Sequence, residues 1–160
     1  MDTDFANIEG IFKTNTDIVT KAIVEVSAED WFRVPGDDSN HLMWVAGHLT
    51  WSRGNLLRVL DSEWEAPWLS VFARGEKLTT PEQYPPVDEI RSAWNEVSRK
   101  LSASLGEVPA RVLAKPAPEG PPSFDGKIGG VVAFLAFHET YHVGQISFLK
   151  KWLGYGQSVG

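Results

Sequence analysis

Apolar residues recur at spacings of three and four in four separate stretches of this chain, which is the rhythm of one helix face turned toward a core. Phe5, Ile8, Phe12, Asn15, Val19, Ala22 and Val26 form the first stripe and predict a helix over about 4–27. Leu42, Val45, Leu49, Leu56 and Leu60 predict a second over about 40–60, with Asp38 or Ser39 as its N-cap after a Pro35-Gly36 connection. A third runs over about 87–105 and stops at Gly106. The fourth, over about 126–153, carries Val131, Leu135, His138, His142, Gln145, Leu149 and Trp152 on one stripe, with Asp125 as cap and Gly154 as stop. No useful period-two run occurs, so no strand is expected.

Two long links separate these helices. Residues 61–86 must cover some distance, with a short turn expected at Thr80-Pro81-Glu82-Gln83, which has the layout of a capping box. Residues 107–126 hold five of the ten prolines and read as a non-helical loop. The fold class predicted is all-α, a four-helix bundle with long inter-helix links, and a single domain over residues 1–160.

Composition narrows the function. The net charge of −6, without any basic cluster denser than Lys150-Lys151, argues against a nucleic-acid partner. No apolar run approaches a membrane span, and the acidic start Met1-Asp2-Thr3-Asp4 lacks a signal-peptide layout, so a cytoplasmic protein is expected. With no cysteine, thiol chemistry requires a thiol brought by a cosubstrate. Seven tryptophans suit core packing first and an apolar pocket second.

His138-Glu139-Thr140-Tyr141-His142 is the most specific chemical signal. Histidines four apart share a helix face, and they stand here where core residues are expected, so their ring nitrogens need partners. A zinc peptidase would need a third ligand downstream, yet no His, Asp, Glu or Cys follows His142. The third ligand must come from His41 or His48, which lie about 10 Å apart along one helix and cannot both reach one ion. His48 lies deeper in its helix, beside Gly47, which allows close approach of a neighbouring helix; His41 belongs to the first turn and is expected at the surface.

The segment Asn40-His41-Leu42-Met43-Trp44-Val45-Ala46-Gly47-His48-Leu49-Thr50-Trp51 and the run Phe137-His138-Glu139-Thr140-Tyr141-His142-Val143-Gly144-Gln145 together resemble the second- and fourth-helix motifs of the DinB-like superfamily. That superfamily of four-helix bundles includes bacillithiol- and mycothiol-dependent transferases. The resemblance implies that His48, His138 and His142 ligate a divalent metal with open coordination positions, and that the protein forms a homodimer.

Zinc or nickel leads among the ions three histidines suit, with iron or manganese behind them. An open site suits a hydrolase or a low-molecular-weight-thiol S-transferase acting on a small molecule. The alternative is a non-catalytic metal-binding or dimeric interaction bundle. Glu139 is the candidate catalytic group, either reaching a ligand imidazole or acting at the rim, against a plain surface role. Gln145 is a candidate to hydrogen bond a ligand histidine. Tyr141 is expected to pack, and Asn15 to bond a neighbouring helix or face the site.

Overall fold

The computed structural model describes residues 3–158, among which the only regular elements are helices. Four long ones carry the fold: α1 (Thr3–Glu25), α2 (Leu42–Val59), α3 (Val87–Glu107) and, after the single turn α4 (Ala110–Leu113), α5 (Ile128–Trp152). They pack in the ring α1–α5–α2–α3, closing back on α1.

Contacts at the two ends fix the directions. Tyr155, just past α5, donates its hydroxyl to Asp30 just past α1, so these helices finish together. Arg91, in the first turns of α3, donates to the carbonyls of Ile23 and Val26 at the same end. The start of α2 is there too, where Met43 N–H bonds the Trp31 carbonyl. At the far end Lys100 of α3 meets the Glu63 carbonyl beyond α2. Hence α1 and α5 run one way, α2 and α3 the other. Because α2 and α3 are parallel, the chain must travel back along roughly 27 Å of helix between them. Residues 61–86 make that return, and a 3₁₀ turn at Leu69–Phe72 anchors it on α2.

Helix ends differ from expectation by specific hydrogen bonds. His41, not Asp38 or Ser39, caps α2: its Nδ1 accepts the Trp44 N–H at 3.0 Å. It is 6% exposed rather than at the surface, wedged edge-on between Phe32 and Tyr84. Asp125 does not cap α5. It accepts the Lys127 N–H at 2.9 Å, shaping the turn before the helix. Gly106 lies inside α3, which ends instead at Val108-Pro109, where Pro109 disfavours a helical Val108. Residues 107–126 are not wholly irregular, since Pro109 opens the turn α4. At Thr80 the expected turn forms as a 3₁₀ helix over Pro81–Gln83, without a side-chain cap.

The core face of α5 is rotated from the predicted stripe. Val132, Ala136, Glu139, Val143, Ile146 and Lys150 are all buried, so two charged residues belong to the interior. Lys150 pairs with Glu25 at 2.6 Å and ties the shared ends of α5 and α1. Glu139 pairs with Arg53 of α2, both side chains 2% exposed. Arg53 Nε and Nη2 donate to the two carboxylate oxygens at 2.7 Å each. Its Nη1 bonds Ser98 of α3, and Nη2 also bonds the Phe12 carbonyl and Thr16 of α1. The guanidinium lies 4.0 Å from the Trp94 ring centre. One side chain therefore holds all four long helices. No helix among the described residues is long and apolar enough to cross a membrane.

Candidate metal centre

Three imidazoles meet between α2 and α5: His48, His138 and His142. Antiparallel packing of those helices sets residue 48 level with residues 138 and 142, one turn apart on α5. His138 Nε2 lies 3.2 Å from His142 Nε2 and 3.4 Å from His48 Nε2. All three donor atoms fall within 4.8 Å of one another.

The other ring nitrogens explain why these atoms face inward. His48 Nδ1 is 2.8 Å from the Phe72 carbonyl, which can only accept, so Nδ1 carries the proton and Nε2 presents its lone pair. Gly47 makes this bond possible, because a Cβ there would stand 2.2 Å from the Phe72 ring. Its small size admits the return link, not a neighbouring helix. His48 is also sandwiched by indoles from its own helix, Trp44 at 4.7 Å and Trp51 at 5.3 Å. His142 Nδ1 donates to Gln145 Oε1 at 2.7 Å, which likewise directs its Nε2 lone pair to the centre. The Gln145 amide reaches the Tyr141 hydroxyl at 3.4 Å. His138 Nδ1 is buried without a hydrogen-bond partner, as is Trp44 Nε1.

Burial holds all three imidazoles neutral at physiological pH. It lowers His48 to about 4, the Phe72 hydrogen bond pulling up and the His142 charge pushing down. His138 falls to about 4 through burial, then the charges of His142, His48 and Arg74. His142 is lowered by burial, opposed by Gln145. Neutral imidazoles with converging lone pairs are the form a cation requires. A tetrahedral ion with Zn–N bonds of about 2.05 Å would hold its ligand nitrogens about 3.3 Å apart, which the spacings of 3.2 and 3.4 Å match. The cluster is therefore compatible with metal binding.

A cleft of about 720 Å³ opens over the histidines, within the usual range of small-molecule sites. Trp44, Trp51, Phe134 and Leu135 give it apolar walls, and residues of both long links, Arg74 and Pro118 to Pro122, close its sides.

The remaining sequence-derived candidates fall elsewhere. Glu139 neither lines the cleft nor lies on the surface. Its position 100° around the helix from His138 turns it into the core, where Arg53 occupies both carboxylate oxygens. Asn15 is buried and donates to Thr140 of α5 at 3.1 Å, joining two helices away from the cleft. Tyr141 does not pack but is 61% exposed. Sequence reasoning missed Phe72, whose contribution is a backbone oxygen, and Arg53. A signal for Arg53 existed: it fills the gap in the α2 stripe between Leu49 and Leu56, four residues after one and three before the other. The profile of a family described as the DinB superfamily matches residues 11–146, and no curated protein matches the chain.

Proposed function

The chain belongs to the DinB superfamily, and from that premise we propose that it is a metal-dependent enzyme acting on a small molecule, with His48, His138 and His142 as ligands. The observation that carries this reading is the convergence of three Nε2 atoms, two of them held as lone-pair donors by Phe72 and Gln145. Three neutral ligands leave coordination positions toward the cleft. A divalent ion there, zinc or nickel before iron or manganese, would activate water or a thiol and polarise an electrophile. The reaction is hydrolysis or S-transfer. In the first, water oxygen bonds the electrophilic carbon, the scissile bond breaks, and the proton ends on the leaving group. In the second, the sulfur of a low-molecular-weight thiol takes the place of water, consistent with a chain that has no cysteine of its own.

The protein's own groups position and exclude. Phe72 and Gln145 aim the ligand rings, the indoles of Trp44 and Trp51 fix His48, and apolar walls limit water. With both oxygens bound by Arg53, Glu139 is assigned no chemical step. Elemental analysis of purified protein, paired with ester, amide and thiol-conjugation assays, tests the proposal. About one ion per chain, absent from His138→Ala, and turnover that follows metal content are expected. A full complement of metal with no turnover on the panel would favour the non-catalytic alternative.

We propose a homodimer as well. Phe137, Tyr141 and Phe148 stand exposed on the outer face of α5 around Gly144, where a Cβ would meet nothing within 4 Å. Light scattering should give twice the chain mass, returning to the monomer value in Phe148→Glu.

A further inference from the structure

The chain carries a net charge of −6, yet the cleft over the histidines is lined by two arginines, Arg58 and Arg74, and one carboxylate, Glu119. The two arginines differ. Arg58 is engaged, 3.5 Å from Glu65 Oε1 and 3.4 Å from Asn55 Oδ1. Arg74 pairs with no carboxylate among the described residues. It follows Phe72 by two residues, so the segment that orients His48 through its carbonyl also sets a guanidinium at the cleft. Gly75, at φ 90°, turns the chain immediately afterward. A guanidinium offers a planar fork of donors that matches carboxylate and phosphate oxygens. The same cleft is lined by the apolar and aromatic surfaces of Trp51, Phe134, Leu135 and Pro121.

We propose that the substrate is an amphipathic oxyanion, with an apolar, ring-sized body against Trp51, Phe134 and Leu135 and a carboxylate or phosphate bound by Arg74. Arg58 adds attraction at longer range without being the anchor. The inference deepens the enzymatic reading by naming a substrate class for the same cleft, but Arg74 acts independently of any ion.

Tryptophan fluorescence, with Trp44 and Trp51 in the cleft wall as reporters, reads binding of 4-phenylbutyrate, 2-phenylethyl phosphate and the uncharged 4-phenylbutanamide. Each is titrated into the wild type and Arg74→Gln, as purified and after chelator treatment. One charge-assisted contact predicts that the better oxyanion binds the wild type about tenfold tighter than the amide. That preference should persist after chelation and collapse in Arg74→Gln, whose amide affinity stays unchanged. Which oxyanion binds better distinguishes carboxylate from phosphate. Equal affinity for oxyanions and amide in the wild type, no saturable binding of any probe, or a preference that survives Arg74→Gln would each overturn the inference. A preference confined to metal-loaded protein and untouched by Arg74→Gln places the oxyanion on the ion, refuting the Arg74 assignment while supporting the metal reading. An Arg74-dependent preference in protein that neither co-purifies with zinc or nickel nor takes either up supports the Arg74 assignment while refuting the metal reading.

Discussion

His138 and Glu139 are neighbours on α5, yet they sit in opposite kinds of environment: Glu139 is buried in the core, and His138 is half-buried and lines the cleft. Around Glu139 the hydrogen bonding is closed: both oxygens are held by Arg53, whose remaining nitrogens reach Ser98, Thr16 and the Phe12 carbonyl. Around His138 it is open, with Nδ1 unpartnered and Nε2 facing two other imidazole nitrogens. A buried unpaired polar atom costs about 1–3 kcal/mol, a cost the fold carries at His138 Nδ1 while its Nε2 is left facing the shared centre. The closed network serves the scaffold; the open one is where a metal ion could be held.

The comparison is broken most forcefully on the closed side. Glu139→Ala leaves the Arg53 charge buried without a counterion and should destabilise the protein by about 3–5 kcal/mol. A thermal melt should show a midpoint lowered by roughly 10 °C or more. The pair Arg53→Met with Glu139→Leu, which removes both charges, should recover most of that loss.

Acid acts next, on the open cluster and on the cap of α2. His41, His48 and His138 sit at about 4 in the fold and near 6.5 when unfolded. Between those values the unfolded chain binds more protons. Stability of metal-free protein is therefore complete above pH 6.5 and is lost as pH falls toward 4. Urea midpoints at pH 7.5, 6 and 5 should decline in that order. His41 contributes by a traceable route, since protonating its Nδ1 removes the acceptor that caps α2.

Metal loading sharpens the contrast. Zinc or nickel at about one hundred times its dissociation constant should stabilise the wild type by about 2.7 kcal/mol. Calorimetric melts of His48→Ala and His142→Ala should show no such shift, although both variants fold. The smallest expected effect comes from Gln145→Ala. Loss of the His142 Nδ1 partner should weaken metal affinity about 10- to 100-fold in a competition titration, with little change in the metal-free melt.

The long helices were readable in the sequence because their apolar periodicity is local, and so were His48, His138 and His142, because fixed offsets on a helix set which side chains share a face. What escaped depends on partners distant in the chain. Glu139 read as a candidate catalytic group or a surface charge, and Lys150 only as half of a basic pair, until Arg53 and Glu25 are placed beside them. His41 read as a solvent-facing first-turn residue because Phe32 and Tyr84, which cover it, come from the flanking connections. Phe72 was out of reach altogether, since its part is played by a carbonyl that every residue possesses.

Running α2 and α3 in the same direction obliges the polypeptide to double back, and the strap that does so passes over the histidines, lending a backbone oxygen from Phe72 and a charge from Arg74. The four long helices and the proposed selector are thereby carried by different stretches of the chain, joined at Phe72. Exchanging the strap between homologous bundles, while keeping Gly47 and the seat of the Phe72 ring, becomes a route to altering what the protein accepts without disturbing the rods that support it.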